Sequence, residues 1–311
     1  MIRIYLSSRN NYDMLEPIFL KNNNLEGYQI YNIDDFSTNE EVEKGKQLCA
    51  KYNIPFIPNK KRGLQYAAKT FIEYLDENSI PSKFILWLTH DTFVITENFF
   101  TKLNDKVKTG ILDDFGMVGF NILGPQCGIT THSKVKSKVC GILGRAPLSK
   151  LPGRGEWWRT PDMNLTWETY GTPFAIDAPC DMALMINVKL FKKFIDVSDN
   201  YHLFCANDDI AMQFLNNNIY NIVLPEFQVF HDQHMKETVH IPVKSAAAAR
   251  GGDSKHFGDF GKHFDYWFEK WGWHRDNRAS FELVADQYEG TIIHKLFYYD
   301  NANGPIKYFN V

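Results

Sequence analysis

Apolar positions along the first 120 residues form short strand-like runs that alternate with longer helical patterns. Apolar residues at helical spacing from Leu64 to Leu75 predict an amphipathic helix after Gly63. Further helices are expected over residues 13–20 and, behind a capping box that begins at Ser37, up to Tyr52. The strand-like runs are Ile2–Leu6, Tyr28–Ile33, Ile54–Ile57, Phe84–Leu88 and Met117–Phe120. Strands separated by single helices pair in parallel, so the pattern predicts an α/β sheet.

The pattern changes after residue 120. Residues 121–180 are rich in Gly, Pro, Trp and Thr and lose the strand and helix rhythm, which predicts a long excursion from the sheet. Further on, strands are expected at Met182–Ile186 and Ile219–Leu224, and helices at Val188–Phe194, Asp208–Leu215 and Phe264–Trp273. We therefore expect one domain over residues 1–235, with halves at 1–120 and 121–235, and a C-terminal extension over 236–311.

Composition and charge exclude few classes of protein. A net charge of −3 over 311 residues gives no overall field that would favour nucleic acid or a membrane surface. No apolar run approaches the roughly 18 residues of a membrane span, so none is expected. The five cysteines, at positions 49, 127, 140, 180 and 205, lack CxxC spacing. This usage is typical of reduced, buried thiols and favours a cytoplasmic location.

Acidic or histidine side chains stand at the ends of several predicted elements. The positions are Asp34-Asp35, Asp91, Asp208-Asp209 and His231. Open α/β sheets bind ligands at the carboxyl ends of their strands. A single acidic residue at such a place is more often a turn residue or a helix cap. The recurrence of these positions favours a binding site along one edge of the sheet.

The order of these motifs resembles the family 2-like inverting glycosyltransferases of the GT-A fold, over roughly residues 1–235. The matching segments are Asp34-Asp35-Phe36-Ser37-Thr38, Asn59-Lys60-Lys61-Arg62-Gly63, Thr89-His90-Asp91, Asp208-Asp209-Ile210 and Val229-Phe230-His231. The resemblance implies an α/β, Rossmann-like, mostly parallel central sheet flanked by helices, with a long loop-rich acceptor insertion and a C-terminal helical extension. It also implies a nucleotide-sugar donor, expected first to be a UDP-sugar.

In this family the strand ends bind the donor. The resemblance implies that Asp34 contacts the base or ribose of the nucleotide, and that Asp35, Ser7 and His90 belong to the same donor site. Arg62 stands at a helix start, where anions are favoured, and is expected to neutralise the diphosphate ahead of its neighbours Lys60 and Lys61. The alternative for the three basic residues is a solvated turn, and for Asp34 a helix cap.

The resemblance also implies a divalent cation that bridges the two phosphates. Asp91 is the expected ligand, and His231 is the expected second ligand. Oxygen ligands suit Mg²⁺ or Mn²⁺, and a histidine ligand favours Mn²⁺. The chain departs from the family at Thr89, where the first carboxylate of a DxD motif is expected. The last Asp of that motif is the usual direct ligand.

Asp209 matches the catalytic base of the family. An inverting transfer needs one carboxylate that deprotonates the acceptor hydroxyl as its oxygen attacks the anomeric carbon. Asp208 is expected to orient the acceptor or to cap the helix. The alternative for both residues is a pair of charges that a helix N-terminus stabilises. In the tail, Lys270-Trp271-Gly272 resembles a segment of such transferases and is expected to pack over the donor site.

The excursion is locally basic between residues 132 and 159. Seven basic residues face one acidic residue there, for a local net charge of +6, and Trp157 and Trp158 lie beside them. Basic and aromatic residues together suit a polyanionic acceptor such as modified DNA or a phosphate-bearing glycan. The expected acceptor contacts are Lys134, Lys136, Lys138, Trp157 and Trp158. The alternative is a mobile surface loop with a small aromatic core.

Two other functions are compatible with such a sheet. A sugar-phosphate nucleotidyltransferase would carry a glycine-rich phosphate loop directly after the first strand, and Leu6–Asn10 contains no glycine. A nucleotide-sugar-binding module without catalysis is suggested by Thr89 alone.

Overall fold

The fold is built on one sheet, seen in a computed structural model that describes residues 1–21, 23–25, 27–123, 173–179, 182–202, 205–231, 257–275, 278–298, 307 and 309–311. Nine strands lie within these ranges. They are β1 (Ile2–Ser8), β2 (Ile30–Asp34), β3 (Phe56–Pro58), β4 (Phe84–Leu88), β5 (Thr92–Val94), β6 (Met117–Leu123), β7 (Phe174–Ile176), β8 (Ala183–Asn187) and β9 (Asn221–His231). The predicted run Phe84–Leu88 is confirmed with the same bounds.

The described helices are α1 (Asn39–Lys51), α2 (Leu64–Glu77), α3 (Phe99–Lys108), α4 (Val188–Phe194), α5 (Ala206–Asn216), α6 (Phe257–Trp271), α7 (Arg278–Glu282) and α8 (Ile292–Tyr298). The N-cap of α1 is Thr38, inside the predicted capping segment and one residue after Ser37, and its Oγ1 accepts the Glu41 N–H at 3.5 Å. Residues 13–20 differ from the prediction. A short 3₁₀ turn and a π-helical turn replace the α-helix there, and Pro17 lacks the N–H that an α-helix would use.

Strand order across the sheet is β3-β2-β1-β4-β8-β6-β9-β5, and β7 also pairs with β9. The first four strands in this order pair in parallel, as predicted. Strand β6 does not pair with β4, because β8 lies between them and is antiparallel to both. Six of the nine described strands run in one direction, which confirms a mostly parallel sheet.

Strand β9 is longer than predicted. The two apolar segments expected around residues 219–224 and 229–231 form one strand along β6. Leu224 pairs with Phe120, and the next pair is Gln228 with Asn121, so residues 225–227 form a bulge on β9. Bulges change the direction in which the following side chains point and are common beside active sites.

Each face of the sheet carries its own apolar core. Residues of α2, α4, α5, α6 and α8 pack on one face, together with Trp87 of β4. Residues of α1 and α3 pack on the opposite face. Trp267, Trp271 and Trp273 belong to the first core. The segment after residue 257 therefore completes the same core as α2 and α5.

Among the described residues, Cys49 and Cys205 are buried and are not in disulfides, as predicted for reduced thiols. Burial, and to a smaller extent the nearby Asp34, raises the pKa of Cys49 to about 12. The thiol is therefore protonated and unreactive at neutral pH. The other cysteines lie outside the described residues. No helix within the described ranges is long and apolar enough to cross a membrane.

Candidate functional site

The carboxyl ends of β1, β2, β3 and β4 lie along one edge of the sheet, because these strands are parallel and adjacent. This edge brings together the predicted donor and metal residues of the first half. They are Ser7, Asp34, Asp35, Arg62, His90 and Asp91. Ser7, Asp34, Asp35, His90 and Asp91 are all buried, so the edge is a polar zone inside the protein.

The His90 ring is held at both nitrogens. Asn11 donates to Nδ1 from its amide nitrogen at 3.2 Å, and Nε2 lies 2.9 Å from Ser8 Oγ. The orientation of the Asn11 amide is fixed, because its oxygen accepts the Arg9 N–H. Nδ1 is therefore an acceptor and Nε2 carries the proton, which it donates to Ser8 Oγ. Ser8 in turn donates to Asn32. This network fixes the strand end that carries Asp91.

Asp34 accepts hydrogen bonds at both carboxylate oxygens. The Tyr12 hydroxyl donates to Oδ1 at 2.7 Å, and the Ser37 N–H donates to Oδ2 at 3.3 Å. Burial, and then the charge of Asp34, raises the pKa of Tyr12 far above its ordinary value, so Tyr12 stays a neutral donor. Asp34 thus stabilises the turn into α1, as the capping alternative implies, and its nucleotide contact stays a prediction.

Asp35 organises the start of α2. Its Oδ1 accepts the Gly63 N–H at 2.8 Å and the Asn59 amide at 2.9 Å. Gly63 has a φ of 117°, and a Cβ added there would lie 2.7 Å from the carbonyl oxygen of Tyr201. Glycine is therefore required at this position for both conformational and steric reasons.

Arg62 differs from its two lysine neighbours. Lys60 pairs with Glu73 and Glu77, Lys61 pairs with Asp199, and both lysine side chains are about half exposed. Arg62 Nε, in contrast, is inaccessible to solvent and has no hydrogen-bond partner among the described residues. A buried guanidinium nitrogen that lacks an acceptor is costly, and an anionic ligand would supply one. Arg62 is thus the basic residue of this turn that suits a diphosphate.

Asp91 lies in a tight turn after β4. The Thr92 N–H donates to the Thr89 carbonyl at 3.1 Å, and the two threonine hydroxyls are 2.6 Å apart. Thr92 pairs with residue 231 of β9, so the backbone of His231 runs beside this turn. The side chain of His231 lies outside the described residues.

The acidic side chains of this edge suit a cation whose remaining coordination positions are filled by a bound substrate. No group of three or more His, Cys, Asp and Glu residues that would hold a metal by itself is found within the described ranges. Asp91 is 3% exposed and supplies a hard oxygen at the strand end. Mg²⁺-type ions bind through one or two carboxylates together with substrate phosphates, and this donor set fits that mode.

Asp209 is fully buried and surrounded by donors. Its Oδ2 accepts from Gln65 at 2.9 Å, Gln213 at 2.8 Å and Lys270 at 2.9 Å. Its Oδ1 accepts the indole N–H of Trp271 at 2.8 Å. The side chain is 0% exposed. This carboxylate therefore links α2, α5 and α6, and it is closed off from solvent.

Asp208 has a different environment. It lies in the first turn of α5, and its side chain is 16% exposed. Its Oδ2 lies 2.6 Å from Nη2 of Arg275, whose side chain is 3% exposed. Asp208 is thus the more accessible carboxylate of the pair, held by a buried guanidinium.

Some residues of this site were not predicted from the sequence. Gln65, Gln213 and Arg275 contact the acidic pair, and none was a candidate. The sequence holds one signal for Gln213, which follows Asp209 by four residues on α5 and so lies on the same side of the helix. Lys270 and Trp271 were singled out, and the structure places both on Asp209.

The predicted acceptor contacts Lys134, Lys136, Lys138, Trp157 and Trp158 lie outside the described residues. The assignment of the basic segment 132–159 to the acceptor thus remains a prediction from the sequence.

Comparison with known proteins identifies the fold. No protein-family model and no curated protein matches the sequence. The structure is similar to a crystal structure of GalNAc-T7 with UDP, GalNAc and Mn²⁺, with a TM-score of 0.51 and 15% identity. It is also similar to the mannosyltransferase PcManGT from Pyrobaculum calidifontis in complex with GDP-Man and Mn²⁺, with a TM-score of 0.51 and 11% identity.

These similarities cover most of this chain and less of the other proteins. They cover 74% of this chain and 43% of GalNAc-T7, and 86% of this chain and 64% of PcManGT. The chain thus spans less than two thirds of the length of either protein. The predicted fold is confirmed: the chain has the GT-A-like fold of these glycosyltransferases.

Proposed function

We propose that the protein is a glycosyltransferase that moves a sugar from a nucleotide sugar to an acceptor hydroxyl with the help of a divalent cation. The observation that carries the proposal is the composition of one edge of a GT-A-like sheet. A buried carboxylate, Asp91, follows β4 there, and Arg62, whose Nε has no acceptor among the described residues, lies between β3 and α2 at the same edge. Both similar structures contain Mn²⁺ with a nucleotide or nucleotide sugar, which supports this reading.

Asp91 and His231 would hold the cation, Mn²⁺ or Mg²⁺. When bound, it neutralises the charge that develops on the departing nucleoside diphosphate. Arg62 adds a second positive group for the same phosphates, at the start of α2 where the helix dipole also favours anions. Asp34, Asp35, Ser7 and His90 complete the proposed donor site. The bonds of His90, Asp34 and Asp35 within the protein fix the strand ends on which the nucleotide would lie.

Asp208 is the proposed base of an inverting transfer. A base needs a carboxylate oxygen within reach of the acceptor hydroxyl, and Asp208 is partly exposed whereas Asp209 is enclosed by four donors. Arg275 orients the Asp208 carboxylate through the 2.6 Å contact between its Nη2 and Asp208 Oδ2. The sequence favours Asp209 for the same role, and the two assignments predict different variants to be inactive.

Screening a panel of UDP- and GDP-sugars for Mn²⁺-dependent hydrolysis tests the proposed function. Titration calorimetry with UDP and GDP, with and without Mn²⁺, separates the outcomes. Binding and hydrolysis support a transferase, and binding without turnover with any acceptor or water identifies a binding module. Formation of a nucleotide sugar from a nucleoside triphosphate and a sugar phosphate would instead show a nucleotidyltransferase.

Replacement of Asp91 tests the cation site. Asp91→Asn should remove most of the Mn²⁺ dependence of nucleoside diphosphate binding, lowering affinity in Mn²⁺ by at least about ten-fold, because a neutral amide replaces the anionic oxygen. Calorimetry measures the effect. Asp76→Asn, at an exposed carboxylate of α2 paired with Lys192, is the control. Equal Mn²⁺ dependence in both variants would place the cation elsewhere.

Replacement of Arg62 tests the diphosphate contact. Arg62→Gln should weaken nucleoside diphosphate binding by about 10- to 100-fold, the range expected for a lost charge-assisted hydrogen bond. The melting temperature without ligand should not fall, because Nε has no acceptor to lose among the described residues. Lys61→Gln removes the neighbouring charge, which is exposed and paired with Asp199, and should have little effect. Similar losses in both variants would indicate a diffuse charge effect rather than a contact.

A further inference from the structure

Two buried amide side chains lie next to each other on the sheet beyond the proposed donor site. Asn121 on β6 and Gln228 on β9 are paired in register, and each is 8% exposed. The amide nitrogens of both are inaccessible to solvent and make no hydrogen bond to any residue that the structure describes. Neighbouring strands lie about 4.8 Å apart, so the two amides are within reach of a single small group.

Both amides face the helices that carry the acidic pair. Side chains alternate along a strand, so Asn121 shares the face of Met117, which packs in the core with α2 and α5. Gln228 lies between Phe227 and Val229, which both pack in the opposite core, so it also points to the α2 and α5 side. The two amides are thus on the same side of the sheet as Asp208.

The pairing registers also place Asn121 level with the turn that carries Asp91. Leu184 of β8 pairs with both Trp87 of β4 and Gly119 of β6. Thr89 follows Trp87 by two residues, and Asn121 follows Gly119 by two residues, so Asn121 lies level with Thr89. Strand β8 lies between them, which puts them two strand spacings, or about 10 Å, apart. A group attached to a diphosphate at Asp91 and Arg62 and directed along the sheet would reach this distance.

We infer that Asn121 and Gln228 form the subsite for the sugar of the nucleotide-sugar donor, an inference that rests on the proposed function. Buried amide N–H groups without acceptors require a ligand that supplies oxygen atoms. Neighbouring hydroxyls of a sugar ring supply two oxygens that two side chains on adjacent strands can both reach, and each hydroxyl both donates and accepts. Neutral amides favour hydroxyls over a further phosphate, which proteins usually bind with Arg or Lys. The bulge over residues 225–227 directs Gln228 to this position.

Isosteric apolar variants test the subsite. Asn121→Leu and Gln228→Met keep the volume and remove the amide. Each should weaken binding of the nucleotide sugar that wild type prefers by about ten-fold, with no change in binding of the matching nucleoside diphosphate. The melting temperature without ligand should stay the same or rise, because no bond to a described residue is lost and an unsatisfied donor is removed.

Asn221 provides a matched control on β9. Its amide donates to the carbonyls of Asp177 and Ala211, and its oxygen accepts the Met117 N–H. Asn221→Leu should therefore lower the melting temperature by several degrees, through loss of bonds that are made.

Three results would overturn the inference. Loss of stability in Asn121→Leu equal to that in Asn221→Leu, or failure of Asn121→Leu to fold, would show that the Asn121 amide is bonded inside the protein. Unchanged nucleotide-sugar affinity in both subsite variants would exclude a contact with the sugar. Failure of the wild-type protein to bind any nucleotide sugar would remove the proposed function together with the subsite. The wild-type measurement comes first, so this outcome is distinguished from a failure of the subsite alone.

Discussion

Asp208→Asn is expected to lower kcat by about 10²–10⁴-fold, the range for loss of a general base, while Mn²⁺-dependent binding of the nucleoside diphosphate is kept. The amide cannot take the proton of the acceptor hydroxyl, but it leaves the phosphate and cation contacts in place. Turnover of the preferred nucleotide sugar with its acceptor measures the effect. Asp105→Asn, at an exposed carboxylate of α3 paired with Lys108, is the matched control.

The same assay decides between the two carboxylates. Near-normal kcat for Asp208→Asn, together with an inactive but folded Asp209→Asn, would support the sequence-based assignment of the base to Asp209. The stereochemistry of the product gives an independent result, since a single base-assisted displacement inverts the anomeric centre. Retention would exclude the role proposed for Asp208.

Asp209→Ala is expected to lower the free energy of unfolding by about 3–5 kcal/mol, as when one partner of a buried ion pair is removed. Lys270 loses its carboxylate partner, and the side-chain donors of Gln65, Gln213 and Trp271 lose their shared acceptor. Denaturant unfolding followed by circular dichroism measures the change. Asp199→Ala removes a carboxylate that is more than half exposed and paired with Lys61, and it should leave the midpoint nearly unchanged.

A wild-type midpoint for Asp209→Ala would mean that the four contacts do not stabilise the fold. It would then be reasonable to seek a purely chemical role for this carboxylate.

Elements fixed by local signals were predictable from the sequence. The helix Val188–Phe194 was predicted with its observed bounds, and the preceding Asn187 side chain accepts the Leu190 N–H as its cap. Helix α3 was missed although Phe99, Phe100, Leu103 and Val107 are buried at helical spacing. Its start lacks a side-chain cap, because Asn98 adopts a left-handed conformation and makes no such bond. Without a start signal, its apolar spacing was not recognised.

Features fixed by distant pairings were not predictable. The insertion of β8 between β4 and β6 depends on contacts between residues about 100 and 70 positions apart, such as Leu86 with Met185 and Val118 with Met185. The strand-end position of the acidic residues followed from the sequence, but their bonding did not. Asp209 was expected to face an acceptor, and its enclosure depends on Gln65, 144 positions away, and on Lys270, 61 positions away.

The link between Asp209 and α6 has a consequence for the order in which the chain is made. Asp209 is synthesised 61 and 62 residues before its partners Lys270 and Trp271. At a synthesis rate of about 5–20 residues per second, these partners are made roughly 3–12 s after Asp209. During that interval the carboxylate lacks its Lys270 and Trp271 donors, and α5 has no α6 to pack against. The core on this face of the sheet therefore closes only when the tryptophan-rich helix emerges, which makes its completion a late event in biosynthesis.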